Sequence, residues 1–366
     1  MFEPIEYLDW IRGRPEVTLH DLGSSDLRGE RSGSRPVPEP LGDLDDPPAG
    51  VNLHTLLATA YGVDPQRVLV TAGASHANFL AAATALARRD GDGDDGRVLV
   101  ESPGYEPLVA TPAGLGATVD RFERPGPSFD LDADRVADTA RGETALVTVT
   151  NRHNPSGRLV DRATLADAAA AAGEAGARLL VDEVYAPVGT DPRTGDGTAF
   201  GGPTAAGLEG AVVTGSLTKF FGLGELRVGW LVADEPFVEA ARRVMDHVPA
   251  VAPVTASLAE RAVYAAGDLA ERQRELVAAN ADQLAAFVED RPDVAGRAFD
   301  GSSFALLDPA AADGDAVAEA AWEAGVLVVP GRFFGADDRV RVSVARDPEA
   351  VGASLRAFGG VLDDLT

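Results

Sequence analysis

Lys219 is the only lysine in a chain of 366 residues, whose other basic side chains are all arginines. An arginine side chain stays protonated in proteins and cannot form a Schiff base. A lysine amine can do so once burial or a neighbouring cation makes it neutral. The single lysine of a chain that otherwise uses arginine is therefore predicted to act covalently. It lies three residues after Ser216, and Arg227 follows it by eight residues.

Further polar residues follow predicted strands. Asp182 ends the apolar run Leu179-Leu180-Val181 and begins Asp182-Glu183-Val184-Tyr185. Asn154 follows another apolar run, and Ser216 ends a third. Since an open parallel sheet carries its ligand site beyond the carboxyl ends of its strands, these side chains are expected to meet at one edge.

An anion-binding position is predicted at Gly73-Ala74-Ser75, between a strand and the start of a helix. Free backbone amides at a helix N-terminus point outward and bind anions. A lysine, a carboxylate at a strand end, a phenol and an anion cradle with an arginine together indicate a cofactor pocket. The cofactor would carry a phosphate, an aldehyde and a basic ring nitrogen.

The elements that position these residues alternate between short apolar strands and helices, which is typical of an α/β protein with a mostly parallel sheet covered on both faces. An extended N-terminal arm is predicted to about residue 49, and a largely helical region from 234 to 288. A C-terminal α+β segment is predicted to have strands near 303–307, 326–329 and 339–345. The strands of the central sheet are predicted at 68–71, 97–101, 145–150, 178–182, 211–216 and 228–232, with a helix over 77–88.

The composition restricts the partners and the compartment. The formal net charge is −26, from 58 acidic and 32 basic residues, which disfavours nucleic acid and anionic membranes as partners. The chain has no cysteine, hence no disulfide or thiolate metal site. The first residues show no basic signal-peptide region, and no run is long enough to span a membrane. These features predict a cytoplasmic protein with a solvated acidic surface, typical of salt-loving organisms.

In order and rough spacing, these motifs resemble the class I/II aminotransferases of pyridoxal-phosphate fold type I, across about residues 60 to 345. The resemblance implies a large domain with a mostly parallel seven-stranded sheet between helices and a smaller α+β domain built from both chain ends. The order of the elements predicts the boundaries 1–44 for the N-terminal arm and part of the small domain, 45–245 for the large cofactor-binding domain and 246–366 for the C-terminal small domain. The motifs are Gly73-Ala74-Ser75, Tyr105, Asn154-Pro155-Ser156-Gly157, Asp182-Glu183-Val184-Tyr185, Ser216-x-x-Lys219 and Arg227-Val228-Gly229.

The resemblance also implies a role for each matching residue. Lys219 would bind pyridoxal phosphate as an aldimine and then shuttle a proton, with pyridoxamine phosphate as the intermediate of amino transfer. Asp182 would hold the pyridine nitrogen protonated, while Tyr185 and Asn154 would bind the ring oxygen. Tyr105 would stack on the ring. The phosphate would be bound by Ala74, Ser75, Ser216 and Arg227.

The resemblance implies that Arg341, in Val340-Arg341-Val342-Ser343, binds the α-carboxylate of the amino-acid substrate, and that Asn154 also contacts the substrate. A planar two-pronged donor suits a carboxylate. Arg339, two residues away, is an alternative to Arg341 from the sequence alone. The substrates would be an amino acid and a 2-oxo acid, and their identity stays open. A second arginine for a dicarboxylate would have to come from Arg12, Arg14, Arg28, Arg31 and Arg35, among which the sequence does not choose.

The sequence departs from the family pattern at the segment 38–44, which lacks the tyrosine that the family supplies from the partner subunit of a homodimer. That departure leaves the substrate open, and the histidinol-phosphate aminotransferase branch is one option. A lyase or decarboxylase on the same scaffold is the alternative enzyme. A non-enzymatic regulator is a third hypothesis, disfavoured because the chain has neither the length nor the basic charge for a DNA-binding segment.

Three further polar residues are given no catalytic part. His153 precedes Asn154 and could face the substrate, but a structural or solvent-facing role is the expectation. His76 is expected at a helix start, and Glu183 on the strand face opposite Asp182. No group of residues has metal-ligand spacing.

Overall fold

The computed structural model of the chain describes residues 3–27, 37–88, 96–190, 198–248 and 251–365. Short 3₁₀ turns cover Glu39–Leu41, Pro65–Arg67, Gly224–Leu226 and Gly331–Phe334. The helices are α1 (Glu6–Ile11), α2 (Arg14–Val17), α3 (Leu53–Tyr61), α4 (Ala74–Ala87), α5 (Pro107–Gly114), α6 (Ala133–Thr139), α7 (Arg162–Glu174), α8 (Glu235–Met245), α9 (Pro253–Tyr264), α10 (Ala266–Glu289), α11 (Gly314–Glu323) and α12 (Pro348–Leu365). The strands are β1 (His20–Asp21), β2 (Val68–Thr71), β3 (Arg97–Ser102), β4 (Thr118–Glu123), β5 (Thr144–Thr150), β6 (Arg178–Asp182), β7 (Thr198–Ala199), β8 (Gly202–Pro203), β9 (Ala211–Ser216), β10 (Gly229–Val232), β11 (Val294–Gly296), β12 (Phe304–Pro309), β13 (Val326–Leu327), β14 (Val329–Pro330) and β15 (Val340–Ser343).

The largest sheet has seven strands in the order β2-β10-β9-β6-β5-β3-β4. Its neighbouring pairs are parallel, except that β10 runs antiparallel to both β2 and β9. Every residue of β5 is buried, as the continuous apolar run of a strand covered on both faces requires. The predicted α/β fold with a mostly parallel seven-stranded sheet is confirmed.

Two hydrophobic clusters cover the two faces of this sheet. Leu179 and Val181 of β6 pack in one cluster with Leu165 of α7, whereas Leu180 packs in the other with Phe237 of α8. The alternation arises because successive side chains of a strand point to opposite faces. Full burial of each such side chain contributes about 2 kcal/mol. The central strands therefore form a firm support for the residues at their carboxyl ends.

A smaller antiparallel sheet, in the order β11-β12-β15-β14, packs with α10, α11 and α12 around a separate hydrophobic cluster. Strand β1, near the N-terminus, pairs in parallel with β13, so that both ends of the chain contribute to this part of the fold. Helix α9 packs on α3, beside the large sheet. The residue boundaries of the domains, 1–44, 45–245 and 246–366, stay predictions.

The N-terminal stretch differs from the extended arm that the sequence predicts, because α1 and α2 are helical. The carboxylate of Glu106 accepts hydrogen bonds from the backbone N–H groups of Glu6, at 3.1 Å, and Tyr7, at 2.8 Å. These contacts satisfy donors that the first turn of a helix leaves unpaired. The helix thus depends on a residue 100 positions away, which a local pattern does not reveal.

Two further differences concern β4 and α4. Strand β4 lies at the edge of the large sheet, and its mostly polar side chains, of which only that of Phe122 is buried, hide it from a search for apolar runs. Helix α4 starts at Ala74, three residues before the predicted start, because Gly73 (φ +88°) turns the chain directly from the strand into the helix.

Among the described residues, no helix combines the length and apolar character needed to cross a membrane. Within the same ranges, no group of three or more histidine, cysteine or acidic side chains is placed to hold a metal ion.

Candidate active site

A cavity of about 190 Å³ lies at the edge where the strands of the large sheet end. It is lined by all ten residues that the sequence predicts for the site: Ala74, Ser75, Tyr105, Asn154, Asp182, Tyr185, Ser216, Lys219, Arg227 and Arg341. The ends of β2, β3, β5, β6 and β9 lead into the segments that carry most of them. Their location together supports the predicted roles, which stay predictions.

The amine of Lys219 is enclosed by groups that favour its charged form. Burial alone lowers the pKa of Lys219, but the nearby Tyr185, Asp26 and Tyr7 raise it, and the net shift is upward despite an opposing contribution from Arg341. The Lys219 Nζ atom donates a hydrogen bond to Ser25 Oγ at 3.4 Å. In the protein alone the amine is therefore held as an ammonium, and it must lose a proton before it can attack a carbonyl.

Asp182, the last residue of β6, has a carboxylate that lines the cavity and is hydrogen-bonded by a side chain of α4. Its Oδ2 atom accepts a hydrogen bond from Asn78 Nδ2 at 2.8 Å, and Asn78 Oδ1 accepts one from Thr214 Oγ1 at 2.6 Å. Burial raises the pKa of Asp182, while the hydrogen bonds from Asn78 and the Val184 N–H and the charge of Lys219 oppose the shift. A buried carboxylate in such a setting is suited to pair with a protonated ring nitrogen.

The other end of the cavity is shaped for an anion. Helix α4 presents its N-terminal amides there, beside Ser75, Ser216 and the guanidinium of Arg227. A Cβ atom at Gly73 would lie 2.8 Å from Arg227 Nη2, so a side chain at Gly73 would displace the arginine. Amides, hydroxyls and an arginine are the donors that a phosphate needs. Ser75 and Arg227 are exposed, so this end of the cavity opens to the surface of the chain.

Arg341 lies on β15 with its guanidinium almost fully buried against the cavity. Its Nη1 atom donates to Asn154 Oδ1 at 3.0 Å, and its Nη2 atom donates to the Gly23 carbonyl oxygen at 2.9 Å. Its Nε atom has no hydrogen-bond partner among the described residues. A buried, incompletely paired arginine is suited to bind a carboxylate. Arg339 lies outside the cavity, with its guanidinium 5.6 Å from the centre of the Phe129 ring.

We expect the substitution Arg341→Lys to raise the KM for the amino-acid substrate by about 10- to 100-fold, with a smaller change in kcat. The loss of a two-pronged, charge-assisted contact costs about 1.5–3 kcal/mol, which is that range of affinity. Steady-state kinetics measure the effect. The matched control is Arg339→Lys, which should leave KM within about twofold. An equal rise of KM in both variants would contradict the assignment of the carboxylate to Arg341.

Several lining residues were not predicted. Asn78 lies one helical turn after Ala74 on α4, so a polar side chain in an alanine-rich helix was the available signal. Thr150 ends β5, four residues before Asn154, and Thr218 directly precedes Lys219. Tyr7 and Ser25 belong to the N-terminal stretch, where no periodicity or motif indicates them. The ring centre of Tyr7 lies 5.7 Å from that of Tyr105, in an edge-on contact.

The structure describes only two of the five arginines that the sequence offers for a second substrate carboxylate. Arg12 is exposed and pairs with Asp9, and the guanidinium of Arg14 lies 4.4 Å from the ring centres of both Trp10 and Trp322. Neither of these arginines lines the cavity. Arg28, Arg31 and Arg35 lie outside the described residues.

Both histidines near the site have structural contacts. His153 is fully buried, with Nδ1 2.7 Å from Ser156 Oγ and Nε2 2.8 Å from the Pro103 carbonyl oxygen. Burial, and then the charge of Arg124, holds the pKa of His153 well below its usual range, so the ring is neutral. His76 accepts a hydrogen bond from the Ala72 N–H in the first turn of α4. Neither histidine lines the cavity.

Glu183 is buried away from the cavity, where its Oε1 atom accepts a hydrogen bond from the Ala205 N–H at 2.7 Å. Burial raises its pKa to about 8. Because the folded-state pKa is raised, the contribution of Glu183 to stability is complete below its ordinary pKa and is lost as pH rises through about 8. Glu183 is therefore expected to make the protein less stable at alkaline pH.

We expect Glu183→Gln to be more stable than the parent at pH 8.5 by up to about 4 kcal/mol, and to lose most of that advantage at pH 5. The neutral amide keeps an oxygen for the Ala205 N–H and releases no proton. Denaturant unfolding in molar salt at several pH values measures the difference. The control Glu174→Gln, at an exposed position on α7, should follow the parent. Parallel pH profiles for the parent and Glu183→Gln would refute the prediction.

The profile of the family described as Aminotransferase class I and II matches residues 47–358. Among individual proteins, capreomycidine synthase of Streptomyces vinaceus is 29% identical over 93% of this chain and 88% of that protein. The histidinol-phosphate aminotransferase of Halobacterium salinarum strain R1 is 30% identical over 81% of this chain and 78% of that protein.

Solved structures have the same fold. A pyridoxal-phosphate-dependent aminotransferase from Streptococcus suis superposes with a TM-score of 0.83 at 22% identity, over 100% of this chain and 99% of that one. The pyridoxal-phosphate-dependent cyclase OrfR superposes with a TM-score of 0.81 at 26% identity, over 100% of this chain and 98% of that one.

Proposed function

Because the chain belongs to the aminotransferase class I and II family and is an enzyme that uses pyridoxal phosphate, we propose that it moves an amino group from an amino acid to a 2-oxo acid. The observation that carries the proposal is the cavity at the strand ends. There the only lysine of the chain faces a buried carboxylate, an anion cradle and a buried arginine. These are the groups that an aldehyde, a ring nitrogen, a phosphate and a substrate carboxylate require.

The residues present fit the cofactor. Bound pyridoxal phosphate supplies an aldehyde that condenses with amines and a protonated ring that withdraws electrons from the α-carbon of the substrate. The N-terminus of α4 with Ser75, Ser216 and Arg227 would hold its phosphate. Asp182 would keep the ring nitrogen protonated, and Tyr105 would lie against the ring. Burial raises the pKa of Tyr105 well above its usual range, so that residue stays a neutral phenol.

The remaining roles belong to four side chains of the cavity. Arg341 binds the α-carboxylate of the amino acid and thereby fixes the direction of its α-carbon–hydrogen bond. Lys219 Nζ accepts the proton from that carbon, as a general base within the cavity. Tyr185 and Asn154 would donate hydrogen bonds to the ring oxygen of the cofactor. Proton return by Lys219 to a different carbon is what would separate transamination from other outcomes.

A second candidate keeps the cofactor and changes the outcome. A lyase or decarboxylase would use the same lysine, carboxylate and anion cradle without net amino transfer. The observation in its favour is similarity to capreomycidine synthase and to a protein described as a cyclase, since both differ in name from an aminotransferase. This similarity extends over more of the chain than the similarity to the histidinol-phosphate aminotransferase.

The two candidates are separated by the fate of the nitrogen. The purified enzyme, in molar salt with pyridoxal phosphate, would be given a panel of ¹⁵N-labelled amino acids and several 2-oxo acids. Appearance of ¹⁵N in a new amino acid, read by mass spectrometry, supports transamination. Release of ammonia or carbon dioxide, or a rearranged product that retains its nitrogen, supports the second candidate and contradicts the first.

We also propose that the enzyme is a cytoplasmic homodimer adapted to high salt. The exposed anion end of the cavity, at Ser75 and Arg227, is where a second subunit would complete the site. The net charge of −26 favours a medium in which salt screens the repulsion. Light scattering in molar and in dilute salt tests the dimer and its dependence on salt. A monomer in molar salt with full activity would contradict the dimer.

A further inference from the structure

Ser25 lies between the two side chains that are closest to the expected chemistry. Its Oγ atom is 2.7 Å from the hydroxyl oxygen of Tyr185 and accepts a hydrogen bond of 3.4 Å from Lys219 Nζ. The residue is buried, with 3% of its surface exposed, and it lines the cavity. A small polar side chain in contact with both the amine and the phenol is in a position to control the location of the amine.

The segment that carries Ser25 is fixed on both sides. Before Ser25, the Leu22 N–H donates to the Leu327 carbonyl oxygen at 2.9 Å. After it, the Leu27 N–H donates to the backbone carbonyl oxygen of Lys219 itself at 3.1 Å. The guanidinium of Arg346 binds the Asp21 carboxylate and the Asp26 carbonyl oxygen. The position of the Ser25 hydroxyl is thus built into the fold.

We propose that Ser25 is a positioning residue for Lys219, whose hydroxyl holds the free lysine amine beside Tyr185 when that amine is not bound covalently. A serine hydroxyl has one donor and two acceptor positions, so it can accept from the ammonium and donate to the Tyr185 oxygen together. The Tyr185 proton then remains available for the cofactor. The catalytic meaning of the proposal rests on the proposed function, but its test does not.

The hydrogen bond to Ser25 is one of several influences on the lysine. Tyr185 and Asp182 face Lys219 from the end of β6, and Asp26 from the segment of Ser25. Tyr7 faces it from α1, and Arg341 from β15. A substitution that leaves these charged and titratable groups in place isolates the contribution of the hydroxyl. Ser25→Ala is such a substitution, because it removes one oxygen and no charge.

The test uses the only lysine of the chain. Full-length protein freed of cofactor is labelled with trace acetic anhydride over a range of pH, and acetylation of the Lys219 peptide is measured by mass spectrometry. Only the neutral amine reacts, so the midpoint of the profile reports its protonation. We expect Ser25→Ala to lower this midpoint by about one pH unit, because a hydrogen bond that favours the ammonium is lost.

Two variants serve as controls. Ser24→Ala removes a hydroxyl from the neighbouring residue, which is also buried but does not line the cavity, and should keep the parent midpoint. Ser25→Thr keeps a hydroxyl at this position and should have the same midpoint as the parent. Thermal unfolding of each variant shows that the fold is retained.

An unchanged midpoint in Ser25→Ala would overturn the proposal, as would an equal fall in Ser24→Ala or a Ser25→Thr midpoint that stays at the alanine value. A fall that is confined to Ser25→Ala supports it. Because the readout needs neither cofactor nor turnover, it is independent of whether the protein is an aminotransferase. A negative result for transamination in the ¹⁵N experiment would therefore not change the interpretation of the Lys219 midpoints.

Discussion

Replacement of Lys219 by alanine is expected to abolish covalent attachment of pyridoxal phosphate and to lower turnover by at least about a thousandfold. The reason is that no second lysine exists in the chain to replace it, and a positioned general base contributes up to about 10⁴-fold by itself. Attachment is measured by borohydride reduction followed by peptide mass spectrometry. In the parent protein, the reduced cofactor should be found on the peptide that contains Lys219. In Lys219→Ala, no peptide that carries the cofactor should be found.

Lys219→Arg is the matched variant. It keeps a positive charge near Tyr185 and Ser25, but a guanidinium does not condense with an aldehyde. It should therefore fold like the parent and be as inactive as Lys219→Ala. Turnover that persists in either variant would contradict the assignment of Lys219 as the residue that binds the cofactor covalently.

The second large effect is expected from Asp182→Asn. The substitution keeps the size of the side chain and an oxygen for Asn78 Nδ2, but removes the charge that would hold the ring nitrogen protonated. Turnover should fall by about 10²- to 10³-fold, which is typical when one preorganised electrostatic contact is lost. Covalent attachment at Lys219 should remain, since the aldehyde does not touch Asp182. Kinetics and borohydride labelling on one preparation separate the two effects.

Two controls accompany that substitution. Asp120→Asn, on edge strand β4 and outside the cavity, removes the same charge from the protein and should leave turnover unchanged. Asn78→Ala keeps the carboxylate and removes its support, so a smaller loss is expected. Full activity in Asp182→Asn would show that the carboxylate is not the partner of the cofactor ring.

The strand-end residues of the site could be predicted because a parallel sheet collects its carboxyl ends at one edge. Asn154, Asp182 and Ser216 each follow or end an apolar run that the sequence shows directly. The geometry of such sheets then brings residues far apart in the chain to one cavity. Here the local pattern and the fold agree, and no long-range information is needed.

Ser25 and Tyr7 could not be predicted in the same way. They reach the cavity because β1 pairs with β13 and because Glu106 anchors α1, and both contacts join residues widely separated in sequence. Nothing in the Gly-, Pro- and Arg-rich N-terminal composition indicates them. The residue pattern alone leaves Arg339 and Arg341 open, and the family resemblance favours Arg341. Its burial and its contact with Asn154 are what the coordinates add.

The most direct test of the account is a single half-reaction. Enzyme with bound pyridoxal phosphate is mixed with one amino acid at a time in molar salt, without any oxo acid, and the cofactor is then extracted and identified by chromatography. We expect at least one amino acid to convert the cofactor stoichiometrically to pyridoxamine phosphate with release of its 2-oxo acid. Repeated turnover of an amino acid with the cofactor recovered as pyridoxal phosphate would contradict transamination.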